Sequence, residues 1–181
     1  MPAPKIHTLV LCALITLLCG CARVTPAPLT VDTLKMPAEQ FPGVVEIITK
    51  SAVTDTYPAD ADDVPGMITA LRRINITSSA YYRYLVDDES GRHLIKVKIN
   101  VFTDADAAQA DWQLRYGPAF RERAEPVALG DDGLRFGSGE LVTFRRGVAH
   151  FEFKLNKNPE LFARFIDSYA AFAESVISRH Q

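Results

Sequence analysis

The chain has 181 residues, 48% of them hydrophobic, with a formal net charge of -2 and a pI near 6.1. That length suits one domain with appendages, able to bury roughly two-thirds of the surface its unfolded chain exposes. With no basic excess and no long charge run, the balance argues against nucleic acid as a partner and against a charged tail.

Residues 1–20 read as a targeting segment. Lys5 supplies a positive start, and residues 8–18 follow as an uncharged, almost wholly apolar run. Such a run fits the core of a signal peptide, whereas a bilayer span needs about 20 residues. It ends in Leu18-Cys19-Gly20-Cys21, which resembles the bacterial lipobox. In that motif a leucine stands three places before the lipidated cysteine and a small residue directly before it. Leu18 and Gly20 match, while Cys19 stands where alanine, serine or threonine is usual.

The resemblance implies a lipoprotein precursor, cut before Cys21, with palmitate-type lipid on that residue. It implies a diacylglycerol on the sulfur and usually a third chain on the new N-terminus. One acyl chain binds membranes marginally; two or more anchor stably. Ala22 stands where an aspartate tends to retain such proteins in the inner membrane. Its presence implies an outer-membrane anchor facing the periplasm in a Gram-negative cell. In a Gram-positive cell the anchor is the cell membrane. Cys12 and Cys19 lie in the removed segment, so the mature chain is expected to hold no free thiol, disulfide or zinc–cysteine site.

Residues 21–43 carry the lipidated Cys21, then Pro26, Pro28, Pro37 and Pro42 among small and polar residues. They read as a tether of roughly 75 Å reach at full extension. Residues 44–181 read as a single α+β domain. Within it, 44–49 form a strand and 57–63 an acidic loop. Asp63 caps a helix running to about Ile74, with Val64, Met67, Ile68 and Leu71 on one face. Residues 80–86 and 93–102 are strands around a turn at 87–91. In the second strand Ile95, Val97, Ile99 and Val101 alternate with Lys96, Lys98 and Asn100.

Thr103 begins a helix, with Asp106 completing a capping box. Ala105, Ala108, Trp112 and Tyr116 form its apolar stripe, and Gly117-Pro118 stops it. Glycine-rich turns follow at 130–133 and 137–139. A hairpin of 140–145 and 148–155 turns at Arg146-Gly147. Phe151, Phe153 and Leu155 share its buried face; His150, Glu152 and Lys154 share the face expected in solvent. Asn158 and Pro159 are cap and first residue of the last helix. Phe162, Phe165, Ile166, Tyr169, Phe172, Ala173 and Val176 form a wide buried stripe on it. Residues 80–116 and 140–178 share the order strand, turn, strand, capped helix, the pattern of a pseudo-repeat. The expected architecture is one antiparallel sheet of about five to seven strands covered by helices, the longest at the C-terminus.

The candidate chemistry is sparse. His93 and His150 have no metal-like neighbour at helical spacing, and Gly137-Ser138-Gly139 lacks the nucleophile-elbow spacing. The groups Asp60, Asp62 and Asp63, Asp87, Asp88 and Glu89, and Asp131 and Asp132 do not match the calcium-loop pattern. Arg115, Arg121, Arg123, Arg145 and Arg146 are candidates to converge on an anion, and Arg121, Arg123, Arg145 and Arg146 equally on a protein partner. Tyr82 and Tyr84 share one strand face and read as core; Tyr81, Arg83 and Leu85 take the other. The expectation is a membrane-anchored envelope protein with a binding, structural or assembly role and an envelope protein partner. No catalytic residue, metal or cofactor is expected. The alternative is a periplasmic small-ligand carrier with a pocket between sheet and helices; a hydrolase with dispersed catalytic residues ranks below both.

Overall fold

A computed structural model describes residues 28–52, 75–137, 140–155 and 158–180. Seven antiparallel strands form one sheet in the order β1-β2-β3-β7-β6-β5-β4. They are β1 (Val44–Ala52), β2 (Ile76–Asp88), β3 (Gly91–Phe102), β4 (Ala124–Pro126), β5 (Asp132–Phe136), β6 (Leu141–Arg146) and β7 (Ala149–Lys154). The described helices are α1 (Ala105–Arg115), α2 (Pro118–Arg121) and α3 (Pro159–Ile177). This is the expected α+β plan. The expected signal peptide, Cys21 and the helix over 63–74 lie outside the described residues.

The β2–β3 hairpin is the longest pairing, running from Ile76↔Phe102 to Asp88↔Gly91. Its alternating β-branched residues pack well on a pleated surface. The side chains of Ile95, Val97, Ile99 and Val101 therefore enter the inner face, beside Tyr82 and Tyr84. The turn is tighter than expected, Glu89-Ser90 alone, because the Asp88 carboxylate accepts from the Ser90 N–H at 2.8 Å and holds it closed. The second hairpin turns at Gly147-Val148, one residue later than expected, with Gly147 at φ 53°.

On the inner face lies α3. Asn158 adopts φ 62° and accepts from the Leu161 N–H at 3.0 Å, and Pro159 takes the first helical position. Phe165, Tyr169 and Ala173 are fully buried, and Phe172 half-buried. The Phe165 ring packs edge-on against Tyr84 at 5.1 Å, and Tyr169 against Phe153 at 5.2 Å. Such T-shaped pairs add to the value of burial alone.

Within the tether expected over residues 21–43, the described part is packed on the domain from Leu29 onward. From there the chain crosses the inner face as a strap, and Val31, Leu34, Met36 and Phe41 are part of the core. Prolines fix φ but do not prevent packing; what a non-helical segment needs in a core is donors for its carbonyls. Three buried tyrosines supply them. Tyr82 donates to Val31 O at 3.1 Å, Tyr169 to Leu34 O at 2.7 Å and Tyr84 to Met36 O at 2.9 Å.

Helix α1 covers part of the outer face. Its cap is Asp104, accepting from the Ala107 N–H at 2.7 Å, rather than Thr103. Ala108 and Trp112 are buried as expected, whereas Ala105 is exposed. The strand-strand-helix order does occur twice, β2-β3-α1 and β6-β7-α3. It is not a symmetric repeat. A twofold relating the antiparallel neighbours β3 and β7 would place both helices on one face of the sheet, but they lie on opposite faces.

Candidate functional site

A cavity of about 1170 Å³ opens where the strap, the β2–β3 turn and the start of α3 meet. Asp87, Asp88, Glu89, Glu160 and Asp167 line it, with Arg164 the one cation among its lining residues. Acids gather there for two local reasons. A hairpin tip is solvated, and the first turn of a helix favours negative charge.

Asp88 joins the two elements. One oxygen accepts from Ser90 Oγ at 2.7 Å and faces His93 Nε2 at 3.0 Å; the other accepts from Asn158 Nδ2 at 2.8 Å. The Ser90 hydroxyl holds this carboxyl below the usual carboxylate range, with His93 adding to the effect. Arg92 does the same for Asp87 through paired bonds of 2.7 and 2.9 Å. A general acid or base at neutral pH needs a pKa tuned toward 7. These two carboxyls are tuned the other way and are held by the fold's own donors; the cleft's open negative charge comes from the exposed Glu89, Glu160 and Asp167.

Three of the candidate arginines do come together, though around carboxylates. Arg145 Nη1 lies 2.9 Å from Asp131 and its Nη2 3.4 Å from Asp132. Arg146 reaches Asp131 at 2.6 Å and, across the inner face, Glu174 at 2.6 Å. Arg121 approaches Asp132 at 3.8 Å. Arg123 is exposed in the turn after α2, and Arg115 pairs with Asp111 at 2.6 Å. Burial works to raise the Asp131 carboxyl, but the Gly147 N–H and Arg146 outweigh it and hold it low. The cluster thus clips the 131–132 loop to the β6–β7 turn, with its charge largely balanced internally.

His150 is not in solvent. It is 5% exposed, because α1 lies over this end of the outer face. Its Nε2 is 2.8 Å from Ala108 O and its Nδ1 3.2 Å from Asp111 Oδ2, between the rings of Phe102 and Trp112. A protonated ring satisfies both acceptors and a neutral ring only one. Burial pushes the imidazole pKa down, against the pull of Asp111. Asp111 Oδ1 and Trp112 Nε1 are buried without a partner. The sequence signal was there: 108, 111, 112 and 115 recur at helical spacing, which puts the Asp111–Arg115 pair on the apolar stripe. A small cavity of about 240 Å³ adjoins this region, lined by Trp112, Arg121, Val127, Asp132 and Leu134 among others. Among the described residues no group of histidines and carboxylates is arranged to hold a metal ion.

Comparison with known protein families, curated proteins and solved structures finds no match.

Proposed function

We propose that this chain is a lipid-anchored protein of the bacterial cell envelope, held through Cys21, that acts by binding a positively charged segment of an envelope protein. The acidic cleft is the docking place. The observation that carries the reading is the set of exposed carboxylates Glu89, Glu160 and Asp167 around a cavity large enough for a peptide, whose two walls Asp88 joins through Asn158. The lipobox supplies the compartment: an outer-membrane anchor facing the periplasm in a Gram-negative cell, the cell membrane in a Gram-positive one. Between Cys21 and Leu29, the first packed residue among those described, the chain spans about 27 Å at full extension. The domain then stays close to the bilayer.

Crosslinking in intact cells tests the docking. Glu89→Lys and Asp167→Lys reverse charge at two exposed lining positions and should abolish capture of the partner. Unchanged capture removes the cleft from the proposal. Cys21→Ser should separately abolish palmitate labelling. A second reading, a small-ligand carrier, draws on the 240 Å³ cavity between the helices and β5. Native mass spectrometry of protein purified from its own cells should then show a bound small molecule, and a bare chain mass counts against it.

A further inference from the structure

The outer face of the sheet is only partly covered. α1 packs over β3, β7 and β6 at the level of Asn100 and His150. Toward β1 and the β2–β3 turn this face carries a different chemistry. The register lines its side chains up in lateral rows. Arg83 pairs with Lys96, and Lys96 with Lys154. In the next row Tyr81 pairs with Lys98, whose Nζ stands 5.2 Å over the Tyr81 ring. Tyr81 is 44% exposed and Leu94, two rows away, 37%. The carboxylates on these strands of this face are Glu152, paired with Lys154 at 3.0 Å, Asp87, paired with Arg92 at 2.7 Å, and Glu46, beside Leu85. Like charges set directly opposite one another across strands weaken a sheet. The Arg83–Lys96 pair is therefore unfavourable for folding, and an anionic surface laid against it would relieve the repulsion.

We propose that this outer face rests on an anionic phospholipid bilayer, an orientation that builds on the lipid-anchor reading. The strap begins on the inner layer, with the Val31 N–H hydrogen-bonded to Ser78 near the start of β2. The residues between Cys21 and Leu29 can span at most about 27 Å. That limit keeps the cations of β2 and β3 within range of the head groups, where each cation shifts partitioning by roughly fivefold. Tyr81 brings an aromatic ring with a polar tip, the side-chain type favoured at the membrane–water boundary. In this pose the strap and α3 walls of the acidic cleft lie on the layer away from the bilayer, with the β2–β3 turn at the edge between the two.

The test uses the chain from Cys21 onward, which contains every described residue, coupled through its one thiol to a maleimide lipid in nanodiscs. Chemical coupling supplies the tether whether or not cells lipidate Cys21, so loss of palmitate labelling and failure of the orientation are read separately. Acetylation of each lysine is followed by mass spectrometry in discs with and without phosphatidylglycerol, with Lys35 on the strap as reference. Lys96 and Lys98 should react about fivefold more slowly in the anionic discs, with Lys35 unchanged, and high salt should remove the difference. Arg83→Glu should restore most of the Lys98 rate. Equal rates in the two lipids overturn the proposal, and that is also the result expected if the face binds an acidic protein.

Discussion

A chain that begins at Phe41 should fail to fold, whereas one that begins at Pro28 should fold cooperatively. The first lacks Val31, Leu34 and Met36, all buried against the sheet and α3. Each such side chain contributes about 1.5–3 kcal/mol on burial. The loss also strips Tyr82, Tyr84 and Tyr169 of the carbonyls they donate to. A buried hydroxyl without a partner costs about 1–3 kcal/mol. Together these losses match or exceed the 5–15 kcal/mol by which a domain of ordinary stability is folded. Urea unfolding followed by Trp112 fluorescence measures the effect, since Trp112 lies on the opposite face and reports the whole fold. Single changes grade it: Leu34→Ala should cost about 2–5 kcal/mol, and Tyr169→Phe about 1–3 kcal/mol. A chain starting at Phe41 that unfolds at the same urea concentration as the longer one would show that the strap is not part of the core.

Phe165→Ala should cost about 3–5 kcal/mol by the same assay, and Arg164→Ala, on the exposed side of α3, less than about 0.5 kcal/mol. Gly43→Ala should destabilise strongly, because at φ 85° a Cβ would collide with the Asp87 carbonyl; a full-strength variant would refute that placement. Asn158→Ala should cost about 1–2 kcal/mol, through the lost cap and a strained left-handed residue, and Asn158→Gly distinctly less. The folded His150 pKa lies below its unfolded value of 6.5, so its contribution is fully present above pH 6.5 and is lost as pH falls through the folded value. Denaturation midpoints should therefore drop on acidification from pH 7.5, and His150→Gln should flatten that part of the curve. Asp131 is also lowered from 3.8, so its stabilisation persists down to about pH 4 and fades below; Asp131→Asn should remove that component.

The parts of this fold that follow a period were legible in the sequence. The alternation from Ile95 to Val101 and the stripe from Phe162 to Val176 each bury one face, and a buried face is set by spacing alone. The strap has no period. Val31, Leu34, Met36 and Phe41 are irregularly spaced between prolines, and nothing local reveals that three tyrosines 51, 48 and 135 residues away will take up its carbonyls. The error over His150 has the same root. Alternation with Glu152 and Lys154 correctly gave its face, but the covering helix comes from 42 residues earlier in the chain. Period tells which residues share a face; whether that face is dry depends on what another segment lays across it. The cationic rows of β2 and β3 are likewise defined by register, while their covering is not. That is why lysine reactivity on the tethered chain, which measures covering directly, discriminates where a further reading of spacing would not.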